Sequence, residues 1–233
     1  MDRLAEHATD ADTEPESERL PRRSLSQSFW NLDWRLFLPV ELTTDGFAAH
    51  FSNYDSTLPF VRDHYRSIFQ EKEETPFSST NLGPNKERYY RGAGDFFEIK
   101  KDERTIGIVV GTPVDWSTYY VRSAAVLPAF QAKQLGSRLL RFMFPVLAAA
   151  GVERVEADTS PSNLAAMQLL TRLRFNVTGS VLSDRWGAQV RLTHFLDRQA
   201  EDVFLQQFCT GVVYQLRDRV QRAALPNGPE RRR

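Results

Sequence analysis

The most constraining feature of this sequence is a strand pattern that passes through a short polar turn into a helix pattern. Residues 118–126 are rich in Tyr and Val, which are typical of strands, and Pro128 ends regular pairing because proline has no amide hydrogen. From Leu135 the apolar residues recur every three or four positions, as in a helix that buries one face. A helix that begins in such a turn offers unpaired amide groups and a partial positive charge, so we expect an anion site here.

Charge balance and cysteine content exclude several classes of protein. The 233 residues include 30 Lys and Arg and 30 Asp and Glu, so the chain has no net positive field for nucleic acid. The single cysteine, Cys209, can form neither an internal disulfide nor a multi-cysteine zinc site. No apolar run approaches the roughly 18 residues of a membrane helix, and the acidic N-terminus lacks a signal-peptide core. We expect a soluble cytoplasmic protein with no metal, no nucleic-acid partner and no membrane partner.

Before the strand–turn–helix segment, the sequence predicts a strand, a helix and a loop. Apolar and polar residues alternate over residues 30–38, which favours a half-buried strand. Apolar residues then recur on one helical face over residues 60–69, with Thr57 as a candidate cap. Residues 71–88 are rich in Pro, Ser, Asn, Gly and charged side chains, so we expect a loop there.

Six strands are predicted after this loop, at residues 95–100, 105–114, 118–126, 152–158, 175–181 and 189–195. The connections within the first three are too short for parallel crossovers, so these strands form an antiparallel meander. The fourth follows a helix that ends at Gly151, which makes a parallel βαβ unit. Ser160 is the candidate cap of the next helix, with Pro161 in its first turn, and the last two strands form an antiparallel pair.

The sequence divides into four parts. Residues 1–25 are polar and acidic, and we expect them, like residues 226–233, to be disordered. Residues 26–196 form the predicted domain. Residues 197–225 are predicted to form a long helix, because apolar residues recur every four positions from Phe204. That helix packs on its own domain or on a partner, and the first is favoured.

The turn of the central segment has the pattern Val126-x-Pro128, then Gln131-x-x-x-x-Gly136-x-x-Leu139-Leu140. This pattern resembles the acyl-CoA pyrophosphate loop of the GNAT superfamily of N-acetyltransferases. The first of the two glycines in the family loop is Gln134 in this chain. If that position has a positive φ, Gln costs about 1–2 kcal/mol there. If it is right-handed, the amide is kept and the anion cradle survives.

A second resemblance to the same family follows the parallel strand. Asn163-x-x-Ala166-x-x-Leu169-Leu170 and then Phe175 is similar to the family segment Asn-x-x-Ala-x-x-Leu-Tyr-x-x-x-Gly-Phe. The family Asn lies near the cofactor, and the Tyr often protonates the leaving thiolate. Here the Tyr position is Leu170 and the Gly position is Arg174. Loss of a general acid slows a reaction by about 10²–10⁴-fold, and a CoA thiolate is a good leaving group at neutral pH.

The resemblance implies a GNAT fold of the α/β (α+β) class, with a mixed central sheet of six or seven strands, flanking helices and a long C-terminal helix. It implies direct transfer of an acetyl group from acetyl-CoA to a primary amine of a small molecule or peptide. A homodimer is compatible with this expectation. The residues implied to contact the cofactor are Ala124, Ala125, Val126, Gln131, Ala132, Lys133, Gln134, Leu135, Gly136, Ser137, Arg138 and Asn163.

Acetyl transfer to an amine requires a base, a polarised carbonyl and, commonly, an acid for the leaving group. Asp158, five residues before Asn163, is the candidate base, and Glu156 on the same strand face is the fallback. Tyr120, or its neighbour Tyr119, is the candidate replacement acid. His194 lies on the last strand, which often borders the acceptor pocket in the family, and is a third candidate catalytic residue.

Two other functions are compatible with the sequence. A longer acyl donor would agree with residues 60–73, which faintly resemble the N-terminal part of autoinducer and N-acyl amino acid synthases. A non-catalytic protein that binds CoA or a partner would agree with Gln134, Leu170 and Arg174, which replace residues that the family commonly keeps. The acceptor pocket is expected between residues 71–88 and 180–188, and neither segment has a charge pattern that selects a substrate.

Overall fold

Eight strands form one mixed sheet in the order β1-β2-β3-β4-β5-β6-β8-β7, one strand more than the upper prediction. This computed structural model describes residues 25–69, 84–183 and 187–208. The strands are β1 (Val40–Glu41), β2 (Phe47–Ser52), β3 (Asp95–Lys101), β4 (Arg104–Pro113), β5 (Thr118–Val126), β6 (Arg154–Thr159), β7 (Asn176–Ser183) and β8 (Gly187–Phe195). The helices are α1 (Leu25–Trp30), α2 (Tyr54–Phe69), α3 (Pro84–Ala93), α4 (Leu135–Ala149), α5 (Leu164–Arg172) and α6 (Arg198–Phe208). The predicted fold class is confirmed.

The centre of the sheet is the antiparallel meander β3-β4-β5, as predicted. A β-bulge interrupts β5: Val121 lies opposite Gly111 and Ser123 lies opposite Val110, so Arg122 is an extra residue in this strand. Beneath the meander, Trp34 is fully buried, and its indole donates a hydrogen bond of 3.0 Å to Asp95. The hydroxyl of Tyr119 donates to the same carboxylate at 3.1 Å.

The pairing of β5 with β6 is parallel and short. Only residues 118–120 of β5 pair with residues 154–156 of β6, and the last pair is Tyr120 with Glu156. Beyond that pair β6 continues its antiparallel ladder with β8, while β5 stays paired with β4 alone. The sheet is therefore open between β5 and β6 from Val121 onward.

The helix that follows β5 packs as its spacing predicts. The side chains of Leu135, Leu139, Leu140, Met143 and Leu147 are all buried on one face of α4. Gly151 follows the helix with a φ of 91°, a left-handed conformation that suits a glycine after a helix C-terminus. Among the described residues, no helix is long and apolar enough to cross a bilayer.

The predicted strand over residues 30–38 is wrong. The segment contains the end of α1 and a 3₁₀ turn at Trp34–Leu36, and the first strands follow at β1 and β2. Alternation suggested that Leu36 would be inside with Trp34, but its side chain is 79% exposed. The Asp33 carboxylate accepts the Arg35 amide at 3.1 Å, which satisfies the turn locally and removes the need for a strand partner.

Two predicted caps and part of a predicted loop are also corrected. The α2 helix begins at Tyr54 because the side chain of Asn53 accepts the Ser56 amide; Thr57 lies inside the helix. The α5 helix begins after Asn163, not at Ser160, because Asn163 accepts the Ala166 amide at 3.1 Å. Helix α3 occupies the end of the predicted loop. Residues 1–24, 70–83 and 209–233, which include the predicted tails and most of the predicted C-terminal helix, lie outside the described residues.

Candidate active site

Polar side chains converge where the sheet opens, at a place that we call the fork: Tyr120 on β5, Glu156 and Asp158 on β6, and Arg191 on β8. Tyr120 pairs with Glu156, and Asp158 pairs with Arg191. Residues opposite one another in a sheet share a face, and so do residues two apart along a strand. These four side chains therefore lie on one face of the sheet.

Hydrogen bonds hold the fork together. Arg191 donates from Nε to Asp158 Oδ1 and from Nη2 to Asp158 Oδ2, both at 2.9 Å. The Tyr120 hydroxyl donates to Asp158 Oδ2 at 3.2 Å. The Asp158 side chain is only 7% exposed. Such a bidentate pair fixes geometry as well as charge.

The titration of the fork follows from this arrangement. Burial, and then the nearby Asp158 carboxylate, raise the pKa of Tyr120 to about 12. The hydrogen bonds to Asp158 raise the pKa of Arg191 above its ordinary value. At neutral pH Tyr120 therefore carries a proton that it can donate, and Arg191 is charged.

A cavity of about 440 Å³ lies against the fork. Arg154 and Glu156 extend into its lining from alternate positions of β6, and their contacts are loose. Arg154 Nε lies 3.5 Å from Glu156 and its Nη2 lies 3.6 Å from Asp115, while Arg191 Nη1 lies 3.6 Å from Glu156. The residues that line the cavity are Val114, Asp115, Thr118, Tyr120, Arg154, Glu156 and Arg191.

At the far end of β5 lies the predicted anion loop. A 3₁₀ turn at Pro128–Lys133 leads to Gln134, whose φ is 58°. The family-glycine position is therefore left-handed, the alternative for which Gln carries a cost of about 1–2 kcal/mol. The Gln134 carbonyl accepts the Arg138 amide and the Ser137 hydroxyl, at 3.0 and 2.8 Å. The first amides of α4 are left to face the turn, as in any helix first turn.

The turn between β1 and β2 covers this loop. Lys133 donates to the Asp45 carboxylate at 2.9 Å, and Arg138 donates to the Leu42 carbonyl at 3.2 Å. Lys133 lowers the pKa of Asp45 to about 2, with a further hydrogen bond from Thr43. A cavity of about 520 Å³ lies here, lined by Glu41, Leu42, Thr43, Thr44, Asp45, Lys133 and Arg138.

The other predicted cofactor contacts are spread along the opening. Ala124, Ala125 and Val126 lie in the part of β5 that does not pair with β6. The Gln131 side chain donates to the Val126 carbonyl at 3.0 Å, so it links the strand to the turn. Asn163 is the cap of α5, and its side-chain oxygen is engaged by that helix. Whether these residues contact a cofactor stays a prediction.

The structure does not bring His194 to the fork. It neighbours Thr193, which lies opposite Glu156, so His194 points to the other face of the sheet. Its ring stacks on Phe144 at 4.1 Å between centroids and approaches Phe175 at 5.5 Å. Burial lowers the pKa of His194 from its ordinary value. A packing role agrees better with this place than contact with an acceptor.

Leu170 and Arg174, which replace the family Tyr and Gly, have structural roles. Leu170 is buried in the core and presents no donor. Arg174 has a φ of 65°, a left-handed conformation like that of Gln134. Its guanidinium donates to Glu201 of α6 at 3.0 Å, and the Glu201 side chain is only 6% exposed.

Sequence reasoning missed Arg191 and Arg154 as members of the site. Both lie in segments that were predicted as strands, but nothing in the sequence says which residue of β8 stands opposite Asp158. That register depends on the lengths of β7, β8 and the segment between them. The one available signal was an unusual density of charge on β6, where Arg154, Glu156 and Asp158 alternate with buried residues.

The chain belongs to the acetyltransferase (GNAT) family, whose model matches residues 58–175. That range contains β3 to β6, the loop, α4 and three of the four fork residues; the fourth, Arg191, lies outside it. No curated protein matches the chain.

Solved structures show the same fold at low identity. An acetyltransferase of Salmonella typhimurium that modifies the N-terminal serine of a 50S ribosomal subunit protein is 13% identical, covering 69% of this chain and 100% of its own, with a TM-score of 0.52. An N-acetyltransferase of Staphylococcus aureus Mu50 is 12% identical over 64% and 97%, with a TM-score of 0.51. A proposed acetyltransferase of Salmonella typhimurium, solved with its cofactor acetyl-CoA, is 17% identical over 66% and 95%, with a TM-score of 0.50.

Proposed function

We propose that this protein transfers an acetyl group from acetyl-CoA to a primary amine by direct attack. The observation that carries the proposal is the arrangement along β5: a helix N-terminus at one end, an unpaired strand edge in the middle, and a protonated tyrosine at the other. A thioester arm laid along the edge would place its carbonyl next to Tyr120. Family membership and the solved relative with acetyl-CoA support this donor.

In the proposed complex, the cofactor is bound by the loop that follows β5 and by β5 itself. The amides of Leu135, Gly136 and Ser137 face the turn and bind the pyrophosphate, because a helix N-terminus favours anions. Lys133 and Arg138 lie beside this turn and add positive charge. The unpaired edge from Ala124 to Val126 offers backbone groups to the amides of the extended arm, as strand addition does for a peptide.

The proposed chemistry is a single displacement. The amine nitrogen attacks the thioester carbon and forms the C–N bond, its proton passes to a carboxylate, and the C–S bond breaks. Tyr120 gives its proton to the departing thiolate, and solvent restores it. The acceptor cavity and Tyr120 lie on the same face, so no residue from the other face is needed.

Two carboxylates compete for the role of base. Asp158 was the sequence candidate, but both of its oxygens accept hydrogen bonds within the fork. Glu156 lines the cavity, and its nearest cations lie at 3.5 and 3.6 Å. We therefore assign proton removal to Glu156 and positioning of Tyr120 and Arg191 to Asp158.

Calorimetric titration with acetyl-CoA, followed by an assay of free CoA thiol with a panel of amines, tests the function. Saturable binding and amine-dependent release of thiol are expected. Binding without release for every amine would favour a non-catalytic protein, and preference for a long-chain acyl-CoA would favour the longer donor. Glu156→Gln and Asp158→Asn then separate the two carboxylates: a bell-shaped pH profile that loses its acidic limb identifies the base.

A further inference from the structure

The cavity at the fork has mixed charge, and this property restricts the acceptor. Its lining contains two carboxylates, Asp115 and Glu156, and two guanidinium groups, Arg154 and Arg191. A site for a polyamine would require an excess of negative charge, because each amine carries a positive charge at neutral pH. With two cations among its charged lining residues, this cavity opposes such a ligand.

The two arginines of the cavity are not equivalent. Arg191 is committed to Asp158 through two hydrogen bonds of 2.9 Å. Among the described residues, Arg154 has only ion-pair contacts of 3.5 and 3.6 Å, which are longer than the roughly 2.7–2.9 Å of a charge-assisted hydrogen bond. Its Nε atom is buried and has no hydrogen-bond acceptor among the described residues. A buried guanidinium nitrogen in that condition is costly unless an acceptor reaches the group.

Arg154 and Glu156 stand side by side. They occupy alternate positions of β6, so both point to the cavity face, and 3.5 Å separates Arg154 Nε from Glu156 Oε1. A ligand that pairs with both must carry an anionic and a cationic group that are close together. The side-by-side placement matches an amine and a carboxylate on one carbon atom.

We infer that the acceptor is a free α-amino acid, whose carboxylate pairs with Arg154 and whose ammonium group pairs with Glu156. The inference rests on the proposed function for its chemistry but not for its binding site. It also places Glu156 to take one proton from the ammonium group before attack, which leaves the neutral amine, and the second N–H proton passes to solvent after the C–N bond has formed. Thr118 and the apolar Val114 complete the described wall on which the amino-acid side chain would lie.

The test compares three acceptors: leucine, leucinamide, which differs from leucine only in lacking the carboxylate charge, and 1,5-diaminopentane, a diamine with no anionic group. With the full-length protein and saturating acetyl-CoA, leucine is expected to give the highest kcat/KM. Arg154→Gln should raise KM for leucine by roughly tenfold to a hundredfold, the usual effect of losing a charge-assisted hydrogen bond, and change KM for leucinamide little. Arg154→Lys should restore part of the loss. Arg104→Gln, an exposed arginine at the start of β4, is the matched control and should change neither.

A binding experiment keeps this inference separate from the proposed function. Leucine and leucinamide are titrated into the protein saturated with CoA, which requires no turnover. Binding of leucine that weakens in Arg154→Gln supports the inference even if no thiol is ever released. Equal binding of leucine and leucinamide, tighter binding of the diamine, absence of leucine binding, or an Arg154→Gln variant that melts normally and binds leucine as the parent does would each overturn it.

Discussion

The two ends of β5 carry polar sites that are held in opposite ways. At the fork, Asp158 is 7% exposed and receives two hydrogen bonds from one guanidinium. At the loop, Lys133 and Asp45 also lie 2.9 Å apart, but their side chains are 44% and 49% exposed. Exposed pairs contribute little and exchange readily for other ions, whereas buried bidentate pairs fix a position. The side chains of the fork are therefore held in fixed positions, whereas the Lys133–Asp45 pair at the loop is exchangeable.

Asp158→Asn tests the fork and should have the largest effect. It removes the charge that holds Arg191 and replaces one of the two acceptor oxygens shared by Arg191 and Tyr120 with a donor, so activity should fall by about 10²–10⁴-fold. The free energy of unfolding should fall by up to about 3 kcal/mol, because a partly buried guanidinium loses its partner. Steady-state kinetics and urea unfolding measure both. Activity within threefold of the parent would show that the fork pair is not needed.

Tyr120→Phe, also at the fork, separates the catalytic role of the tyrosine hydroxyl from the packing role of its ring. The ring and its packing stay, so acetyl-CoA affinity should be unchanged, while kcat falls by about a hundredfold if Tyr120 is the acid. Because its pKa is raised to about 12, the parent should show no alkaline loss of kcat from this group below about pH 11. A parent profile that falls near pH 9 and flattens in the variant would contradict this protonation state.

The two positions at which this chain has Gln134 and Arg174 in place of the family glycines, both left-handed, give a smaller contrast. Gln134→Gly should stabilise the protein by up to about 1 kcal/mol, because relief of left-handed strain exceeds the added flexibility of the unfolded chain. Arg174→Gly relieves the same strain but deprives buried Glu201 of one cation, so it should be neutral or destabilising. Thermal unfolding of both variants measures these changes in stability. Stabilisation by both substitutions would show that the contact between Arg174 and Glu201 contributes nothing to stability.

Asp45→Asn tests the exchangeable end. Loss of the internal anion should free Lys133 for the cofactor and tighten acetyl-CoA binding by about two- to fivefold at low salt, with the gain disappearing as salt rises. Unfolding should be unchanged. Asp55→Asn, which removes the anion of an exposed ion pair with Arg91, is the matched control and should alter neither acetyl-CoA binding nor unfolding. Weaker binding in Asp45→Asn would mean that Asp45 orients the lysine for the cofactor.

His194→Phe should have the smallest effect on activity, because His194 lies on the face away from the fork. Its effect should appear in the free energy of unfolding at acidic pH. Burial lowers the folded pKa below the ordinary value of 6.5, so the unfolded chain takes up a proton first as pH falls. Stability is complete above pH 6.5 and declines below it. The variant keeps the stack on Phe144 and should lose that part of the decline, measured by unfolding at pH 7.5 and 5.5.

The sequence predicted those parts of the fold that local pattern decides. The meander strands fall within a residue or two of prediction because alternation and short turns define them. Residues 30–38 do not form the predicted strand. Trp34 is buried although it lies in a turn, in which the Asp33 carboxylate accepts a backbone amide. Alternation of apolar and polar residues cannot distinguish such a turn from a strand. Asn163 was identified by family resemblance, yet its role as helix cap was assigned to Ser160, three residues earlier.

The site was predicted only as far as single strands allow. Tyr120, Glu156 and Asp158 follow from positions along β5 and β6, but their meeting with Arg191 depends on which residues of β8 lie opposite. His194 was included because it lies on the last strand, which often borders the acceptor pocket in the family. A one-residue difference in position along β8 sends it to the other face.

The bulge at Arg122 decides which side chains of β5 lie on each face of the sheet along the opening. Without it, the two-residue period would put Ser123 and Ala125 on the face of Tyr119, among the buried rings. The extra residue reverses the alternation of side chains between the two faces of the sheet halfway along β5. Tyr120, Ser123 and Ala125 therefore lie on the same face. One strand can thus place Tyr119 among the buried rings of one face and the small side chains of Ser123 and the buried Ala125 on the face of Tyr120. A single extra residue, not a loop, makes this change of face within the strand.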